Sequence, residues 1–512
     1  MKYLMGVDLG STSLKAIVYD TAGRRIASAS RPTEKVHPSA AHPEWTVWDP
    51  EQIWCGTAAA IREAVSQLDD PRSVRGVAVT GMGMDGLPIA EDGRRLYPMI
   101  SWHDPRTTPQ MDWWREHVGL ERTFAIGGNP VWPINSALRI RWMMENEPAI
   151  LAQADKWLLI EDFLNFMLTG RRVTDYSMAS CMMLFDQRTL AWSDELVRLS
   201  GIDRGLLCEP LPGGTPIGEV TAAAAAQCGL PEGTPVVLGG HDHLCGALPA
   251  GVFEPGRLLD VTGTWEIVNA ASDRPVLDPQ LQRCGVTVQA HVARGKHSIW
   301  GSNVAAEMLE WYRRQYGFEA AERARQDGGS DWDHLLATAA SAPPGAHGAM
   351  FLPHMSGASC PMVDPKSLGA FVGLGSLATA GDMLRAIVEG LGYQFLDIVT
   401  AMETCLGTRM ENFVVVGGAT RNTLWMQNKA DMLGRPIEVA EIEEATPLGA
   451  AILAGIGVGL YRDERDAYER VRRPGRILHP EPAAARVYEK GFRIYRQLYT
   501  ALAPVNHQIA EA

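Results

Sequence analysis

The segment Tyr3–Asp20, YLMGVDLGSTSLKAIVYD, decides the fold of this chain. Its first apolar run ends near Asp8, a short stretch of glycine and hydroxyl residues follows, and a second apolar run ends in Asp20. Apolar runs separated by Gly, Ser and Thr predict two β-strands joined by a hairpin. The next residues, TAGRRI, indicate a turn and a third strand. The chain is therefore expected to begin as three consecutive strands.

The same plan recurs near the middle of the chain, in GRLLDVTGTWEIVNA at residues 256–270. The first copy is followed by a helical pattern with Pro50 near its start and by a buried strand at residues 74–81. The second copy is followed by a strand that ends in two glycines, residues 411–418, and by a helix that Gly434 ends. This repeated order predicts a duplicated α/β architecture with a cleft between the halves.

Composition excludes several classes of protein. Sixty acidic side chains against 47 basic ones give a net charge of −13, whereas a nucleic-acid-binding protein would be expected to show a basic excess. The eight cysteines form no C-x-x-C pair, which disfavours a disulfide framework and fits a reducing cytoplasm. Asp8 and Gly10 come too early for a signal peptide. We expect a cytoplasmic protein of about two to four domains, with no nucleic-acid or membrane partner.

Three later segments carry structural expectations. Leu448–Leu460 is apolar and rich in glycine but shorter than the ~20 residues of a membrane span, so it predicts a buried helix. The Gly-, Ala- and Pro-rich segment at residues 323–348 predicts loops around a short helix. The tail after Pro504 is expected to be loosely held.

Gly81–Gly86, GMGMDG, fits the dinucleotide-binding pattern G-x-G-x-x-G. That pattern requires a helix that begins at the third glycine and directs its N-terminus at a pyrophosphate. Here Leu87–Ile89 and then Asp92-Gly93 predict a strand and a turn instead. We therefore expect a short polar loop that presents Asp85 at a strand end. The sequence also lacks a G-x-x-x-x-G-K-[ST] P-loop.

Both predicted hairpins have the composition of a phosphate-binding turn. Gly10-Ser11-Thr12 follows Asp8 in the first copy, and Thr262-Gly263-Thr264 follows Asp260 in the second. Glycine lets the backbone approach a phosphate, whose oxygens accept from hydroxyls and successive N–H groups. A carboxylate on the preceding strand can hold Mg²⁺, usually through water. The alternative is a plain hairpin whose side chains bond their own backbone, but two copies facing one cleft favour a nucleotide site.

Two further turns carry candidate residues. Gly417 and Gly418 end a strand and would let a flat ring or a ribose approach, although by itself the pattern favours simple turn chemistry. Gly239–His243, GGHDH, follows another strand and precedes a helix. Its His-Asp-His run suggests a metal site, but the sequence supplies no further cluster for the remaining ligands. Asp242 is instead expected to cap the helix, to take a proton from a substrate hydroxyl, or both.

These residues resemble the FGGY carbohydrate kinases, and the likeness spans nearly the whole chain. Gly369–Leu374, with Asp382-Met383 and Ala386–Glu389, fits the second signature of that family at every constrained position. The first signature, around Ser136–Trp142, departs at Arg139, where the family usually has Lys, and at Ile134. The resemblance implies an α/β fold of two actin-like (ribonuclease H-like) ATPase domains with a central cleft.

The resemblance also implies the division of the chain. Residues 1–248 would form the N-terminal domain on the sugar and phosphate side, and residues 249–512 the C-terminal domain on the adenosine side. Within the family the L-fuculokinase branch is most similar, through Leu96–Thr107, Thr262–Val268 and Gly417–Leu433. The residues after Asp242 and those of the predicted sugar loop differ from that branch, at positions where the sugar is selected: Met82, Gly83, Met84, His243, Leu244 and Cys245.

Site residues follow from the resemblance one by one. Asp242 matches the catalytic base, and Asp8 matches the carboxylate associated with Mg²⁺. ATP would be bound by the two hairpins and the G-G-x-x-x-N motif, that is by Gly10, Ser11, Thr12, Gly263, Thr264, Gly417, Gly418 and Asn422. The sugar would be contacted by Met84, Asp85, Trp102, Asp104 and Asp242.

The implied activity is the ATP- and Mg²⁺-dependent phosphorylation of a ketose hydroxyl, with an L-fuculose-like substrate first. Kinases for D-xylulose, D-ribulose, D-tagatose or L-xylulose are the alternatives. A sugar-binding regulator without turnover is disfavoured because Asp242 and both hairpins are present. An NAD-dependent dehydrogenase is disfavoured by Pro88 and the turn that follows it. A small-molecule sugar is the expected partner, and a homodimer is a family-level expectation.

Overall fold

The first half of the chain builds a six-stranded sheet and a smaller four-stranded one in the computed structural model, which describes residues 1–511. The strands are β1 Tyr3–Leu9, β2 Ser13–Asp20, β3 Arg25–Pro32, β4 Val47–Trp48, β5 Val74–Gly81, β6 Gly86–Ile89, β7 Met99–Ile100, β8 Lys156–Leu159, β9 Val173–Asp175, β10 Phe185–Asp186, β11 Ala191–Trp192, β12 Glu209–Leu211, β13 Pro216–Glu219 and β14 Pro235–His241. The helices are α1 Pro50–Ser66, α2 Thr108–His117, α3 Leu120–Gly127, α4 Ser136–Asn146, α5 Pro148–Leu151, α6 Ile160–Thr169, α7 Tyr176–Ser180, α8 Asp194–Ser200, α9 Ala222–Cys228 and α10 Asp242–Ala247.

The second half builds a seven-stranded sheet. Its strands, together with those of a two-stranded sheet, are β15 Arg257–Thr262, β16 Trp265–Ser272, β17 Thr287–Ala290, β18 His297–Val304, β19 Met350–Leu352, β20 Ala370–Val372, β21 Asn412–Val416, β22 Ile437–Val439 and β23 Arg476–Leu478. Its helices are α11 Pro279–Arg283, α12 Ala306–Tyr316, α13 Phe318–Asp327, α14 Asp331–Ser341, α15 Ala380–Leu406, α16 Thr423–Leu433, α17 Ala445–Gly457, α18 Glu464–Val471 and α19 Pro482–Glu511.

The two large sheets repeat one arrangement. Their strand orders are β13-β14-β5-β1-β2-β3 and β17-β18-β16-β15-β21-β22-β23. In the first sheet β1 pairs antiparallel with β2 and parallel with β5. In the second, β15 pairs antiparallel with β16 and parallel with β21. The duplicated α/β architecture predicted from the sequence is confirmed, and each hairpin lies beside the C-terminal end of a parallel strand.

Helices α10 and α17 pack together between the two sheets. α17 lies in the C-terminal half of the chain but packs on β1 and β5 of the first sheet. A side chain at Gly6 would place its Cβ 1.8 Å from the carbonyl oxygen of Pro447, so glycine is required for this close approach. The buried helix expected at residues 448–460 is therefore confirmed, and its apolar character follows from contacts on several sides.

Two sequence expectations about loops are wrong. Residues 323–348 contain the second half of α13 and all of α14 rather than one short helix, because Ser330 caps α14 and Leu335 and Ala339 bury its inner face. The tail after Pro504 continues α19, where Asn506 donates to the carbonyl of Leu368. No helix within residues 1–511 is both long and apolar enough to cross a membrane.

Candidate active site

In both hairpins the N–H of a glycine closes the turn. The backbone N–H of Gly10 donates to the carbonyl of Ser13 at 3.1 Å, and that of Gly263 donates to the carbonyl of Trp265 at 2.9 Å. The first turn is one residue longer than the second, and hydroxyl residues lie at both tips: Ser11 and Thr12 in the first, Thr264 in the second. The sequence expectation that the two turns are copies of one motif agrees with this geometry.

Asp8 lies near the end of β1, directly before the first hairpin. Burial raises the pKa of its carboxyl to about 8, with a further rise from Asp242 and Glu444 and an opposing effect of Lys15. Lys15 is itself paired with Glu444 at 2.8 Å. Asp8 thus faces other carboxylates with little compensating positive charge, and a cation would relieve that repulsion.

Asp242 is the first residue of α10, immediately after β14. Its Oδ1 accepts a hydrogen bond from the backbone N–H of His243 at 2.6 Å. Its side chain remains 34% exposed, in contrast to the 9% of each flanking histidine. Burial opposes ionisation, but the contacts with His243 and His241 hold the pKa of Asp242 below its ordinary value. An ionised carboxylate open to the cleft can accept a proton or a hydrogen bond.

The glycine turn after β21 touches the second hairpin. Gly417 has a φ of 109°, and a Cβ there would lie 2.4 Å from the carbonyl oxygen of Thr262. Gly418 has no atom within 4 Å of its Cβ position in the described residues, and it lines an open cavity of about 850 Å³ with Gly417. Asn422 begins α16 and accepts from the backbone N–H of Trp425 at 3.0 Å. The glycine turn therefore contacts the second hairpin at Gly417 and borders the open cavity at Gly418.

A buried charge cluster that the sequence did not predict lies beneath this hairpin. Lys429 of α16 is fully buried and donates to Asp260, to Glu266 at 2.5 Å and to Thr262 Oγ1 at 2.8 Å. Asp260 and Thr262 belong to β15 and Glu266 to β16. One ammonium group therefore ties both strands of the hairpin to the helix that begins at Asn422.

The predicted sugar loop follows β5. Met84 has a φ of 79°, and its carbonyl accepts from Ser136 Oγ at 2.6 Å and from the guanidinium of Arg139. Asp85 is fully buried; its Oδ2 accepts from Trp48 Nε1 at 2.6 Å, and its Oδ1 lies 3.2 Å from Arg139 Nη1. Burial raises the pKa of Asp85 to about 6, while Arg139 lowers it. β6 begins at Gly86, so the predicted strand after GMGMDG is confirmed and the dinucleotide helix is absent from this position.

Arg139 contacts this loop, which the spacing of residues in the sequence did not predict. It is fully buried, and its Nε and Nη2 have no hydrogen-bond partner within residues 1–511. The Oδ1 of Asp85 likewise accepts no hydrogen bond in the same region of the structure, although it forms an ion pair with Nη1 of Arg139. The sequence signal was the departure of Arg139 from the family signature. A buried donor and a buried acceptor side by side are features of a site that a polar ligand completes.

The expectation that Asp104 bonds sugar hydroxyls disagrees with the structure. Its Oδ1 accepts from the backbone N–H and Nε of Arg106, both at 2.9 Å, and its Oδ2 accepts from Thr46 N–H at 2.7 Å and Arg106 Nη2 at 2.6 Å. A carboxylate has about four acceptor positions, so protein donors use all of them. Trp102, two residues earlier, stacks on His103 with ring centroids 3.6 Å apart.

The second half of the chain supplies a wall next to Asp242. His243 makes an edge contact with Trp300 of β18, with centroids 5.0 Å apart, and Trp300 contacts Trp132 in turn. The side-chain amide of Gln289, on β17, lies 3.2 Å from His241 Nδ1. The sequence did not indicate Gln289, Trp300 or Trp132 because they are distant in sequence from Asp242 and carry no local motif.

Two family models match the chain. The N-terminal domain of the FGGY family of carbohydrate kinases matches residues 3–249, and its C-terminal domain matches residues 258–458. The chain belongs to the FGGY family of carbohydrate kinases. As an FGGY member it is a carbohydrate kinase, and kinases of this family take their phosphoryl group from ATP.

Relatives of this FGGY kinase cover almost its full length. L-fuculokinase of Escherichia coli (strain K12) is 30% identical over 478 residues, which are 93% of this chain and 97% of that protein. Xylulose kinase of Lactococcus lactis subsp. lactis (strain IL1403) is 28% identical over 526 residues, covering 100% of this chain and 99% of the relative. The relatives that cover almost the whole chain are therefore named for two different sugars, fuculose and xylulose.

A solved structure of the family has the same overall shape. Xylulose kinase from Rhodospirillum rubrum superposes with a TM-score of 0.90 at 30% identity and covers 99% of this FGGY kinase and 100% of that chain. The predicted fold of two actin-like ATPase domains is confirmed by this likeness together with the repeated sheets.

Proposed function

We propose that this FGGY kinase transfers the γ-phosphoryl group of ATP to a ketose hydroxyl. Among the candidate substrates, an L-fuculose-like ketose is favoured. The observation that carries the proposal is the part-exposed carboxylate of Asp242 at the junction of the two halves. In phosphoryl transfer the protein mainly positions the nucleophile and neutralises charge. Asp242 is the group that takes the hydroxyl proton, and both hairpins hold the phosphates.

The nucleotide is bound by backbone rather than by charged side chains. Gly10, Ser11 and Thr12 of one hairpin and Gly263 and Thr264 of the other offer N–H groups and hydroxyls to phosphate oxygens. The open space beside Gly418 supports the placement of adenosine there, with Gly417 and Asn422 fixing the turn. Closure of the cleft would bring the nucleotide to Asp242 and exclude water.

Mg²⁺ fits the carboxylates around Asp8. Magnesium prefers oxygen ligands and keeps several waters, and Asp8 lies close enough to Asp242 and Glu444 for their charges to raise its pKa. We propose Asp8 as the residue that holds the ion, directly or through water. When bound, the cation would neutralise phosphate charge, while Asp8 itself orients the hydrated ion toward the first hairpin.

The sugar side of the site is proposed to include Met84, Asp85 and Trp102. Asp85 Oδ1 and the Nε and Nη2 of Arg139 are buried without a hydrogen-bond partner within the described chain, so a sugar hydroxyl that reaches them could bond to both side chains. Asp104 takes a different role in this proposal: it holds Arg106 and thereby the segment that carries Trp102.

L-fuculose stands first because of two stretches that resemble the L-fuculokinase branch. Thr262–Val268 and Gly417–Leu433 meet in the structure through the pair of Glu266 and Lys429. Residues that characterise the branch therefore form one physical unit. D-xylulose is the second candidate, since xylulose kinases are similar over the whole chain; D-ribulose, D-tagatose and L-xylulose follow, and a sugar-binding regulator without turnover is the remote alternative.

The experiment is ADP release from Mg²⁺-ATP over a panel of ketoses and polyols, with Asp242→Asn as the blank. We expect one sugar to raise the rate far above the blank, and L-fuculose is the first expectation. Asp242→Asn should bind ATP and sugar but lose phosphorylation by about 10²-fold or more, the usual scale of general-base catalysis. A variant that retained the full rate would remove Asp242 from the base role.

The remaining assignments are also proposals. The chain divides at residues 248 and 249 into the sugar and phosphate domain and the adenosine domain, with α17 of the second part covering the first sheet. A cytoplasmic location and a homodimer complete the proposal, and size-exclusion chromatography with light scattering tests the dimer.

A further inference from the structure

Three side chains of the metal-binding types converge where β14 meets α10. His241, Asp242 and His243 each place one ligand atom within 4.8 Å of the others. His241 Nε2 lies 3.6 Å and His243 Nδ1 lies 3.5 Å from the same oxygen, Asp242 Oδ1. Side-chain hydrogen bonds with nitrogen donors have N–O distances of about 2.7–3.2 Å. The imidazoles therefore face the carboxylate at distances longer than direct hydrogen bonds.

The two distances to Asp242 Oδ1 match those of neighbouring ligands of one metal ion, and the two imidazole nitrogens lie within 4.8 Å of each other. With metal–ligand bonds of about 2.0–2.2 Å at tetrahedral angles, adjacent ligand atoms lie roughly 3.3–3.6 Å apart. The ring centroids of the two histidines are 4.2 Å apart, so both rings border the same space. We propose that His241, Asp242 and His243 form a three-ligand site for zinc or a similar transition-metal ion, with a fourth position open to the cleft.

An outer contact supports His241 as a ligand. Its Nδ1 faces the side-chain amide of Gln289 at 3.2 Å, and the Oε1 of that amide is buried without a partner in the described part of the chain. Rotation of a side-chain amide by 180° exchanges the positions of its oxygen and nitrogen. Turning the amide gives Oε1 the Nδ1–H as donor and leaves the Nε2 lone pair free for a metal. Metal-bound histidines commonly have such a partner on the other ring nitrogen.

This site differs in chemistry from the one proposed at Asp8. Two imidazoles favour zinc, nickel or copper, whereas magnesium prefers oxygen ligands. A metal bound here would occupy the oxygen of Asp242 that should accept the sugar proton. Zinc would therefore inhibit the kinase, and a chelator would restore its activity once Mg²⁺ is resupplied. The inhibition rests on the proposed function, but the binding of the metal does not.

Co²⁺ is the probe, because four-coordinate Co²⁺ absorbs visible light far more strongly than six-coordinate Co²⁺. The full-length protein is titrated with Co²⁺ without nucleotide, and Zn²⁺ is then added to displace it. We expect one four-coordinate Co²⁺ per chain. His243→Gln should weaken binding by more than about 100-fold, since even outer-shell partners of a metal are worth about 10–100-fold. His117→Gln, which changes an exposed histidine, is the matched control and should bind as the parent does.

Three outcomes decide the proposal. Equal Co²⁺ affinity in His243→Gln and the parent, or a six-coordinate spectrum in the parent, would overturn it. Asp242→Asn provides a second variant that should also lose affinity, and thermal unfolding verifies that each variant folds. Zn²⁺ should slow sugar phosphorylation by the parent in competition with the sugar. Four-coordinate binding in a protein that phosphorylates none of the panel sugars would support the metal site while contradicting the proposed function.

Discussion

At the scale of single residues, Gly417 and Gly418 are adjacent in sequence but have different surroundings. Gly417 has a backbone conformation that only glycine adopts readily, with φ 109° and ψ 168°, and the carbonyl of Thr262 blocks its Cβ position. Gly418 faces open space. The first glycine therefore serves the fold, and the second leaves room for a ligand.

This contrast gives a paired prediction. Gly418→Val should leave the midpoint of thermal unfolding nearly unchanged but raise the KM for ATP by about tenfold or more, which is about 1.4 kcal/mol of binding. Gly417→Ala should lower stability by about 1–3 kcal/mol because of backbone strain. Calorimetry and steady-state kinetics on both variants test this, and an unchanged KM for ATP in Gly418→Val would refute the adenosine placement.

Arg139 and Asp85 form a second residue-scale feature, a fully buried ion pair beneath the sugar loop. Arg139→Met would leave Asp85 as an uncompensated buried carboxylate, and we expect a loss of about 3–5 kcal/mol in unfolding free energy. Arg139→Lys keeps the charge and should lose much less. Denaturant unfolding compares the two, and equal losses would show that shape rather than charge matters at this position.

At the scale of elements, the second hairpin and α16 behave as one unit. Lys429 reaches from the helix to Asp260 on one strand and Glu266 on the other, and all three groups are fully buried. The cluster has two carboxylates for one ammonium, and burial raises the pKa of Glu266 to about 7 while Lys429 lowers it. The position of the phosphate-binding turn thus depends on a charge that lies on a different element.

Removal of that charge should therefore affect both stability and ATP binding. Lys429→Met should cost about 3–5 kcal/mol in unfolding free energy, because two buried carboxylates lose their partner. The KM for ATP should rise in those molecules that remain folded. Adding Glu266→Gln to Lys429→Met should recover part of the loss, and strictly additive effects in this double-mutant cycle would show that the two residues are not coupled.

At the scale of the whole molecule, the chain encloses several carboxyl groups away from solvent. Asp175 caps α7 and Glu161 lies in the first turn of α6, and both are buried. Burial raises the pKa of Asp175 from 3.8 to about 6, partly opposed by hydrogen bonds from Ser177, and raises that of Glu161 well above its ordinary value. The folded state therefore binds protons more tightly than the unfolded chain does.

The contribution of Asp175 to stability should consequently fall as the pH rises from about 4 to 6. The stabilisation that results from a raised carboxyl pKa is present in full below the unfolded pKa of 3.8. It is lost as the pH rises through the folded pKa of about 6. For Asp175 the loss is at most about 3 kcal/mol. Urea unfolding at several pH values should show a smaller fall in Asp175→Asn. Asp194→Asn, at a side chain that is 93% exposed, is the control and should keep the parent slope.

Several features of this kinase could be predicted from local sequence alone. The hairpins at Asp8 and Asp260, the helix that Gly434 ends and the strand after Gly86 each depend on residues close together in the chain, because turns, caps and strand periodicity are short-range effects. The family resemblance added the assignment of the two halves to the sugar and adenosine sides, and it matched Asp242 to the catalytic base and Gly418 to the adenosine turn.

Tertiary structure decided what depends on partners distant in sequence. Sequence could not show that Lys429 joins the hairpin, that Arg106 and Thr46 together use the acceptor positions of Asp104, or that Trp300 contacts His243 beside Asp242. The sequence also could not give the distances between the ligand atoms of His241, Asp242 and His243. Burial, charge compensation and ligand distances arise only when elements pack, because each depends on atoms that the local sequence does not contain. The sequence thus determined which elements form, and packing determined what their polar side chains are free to bind.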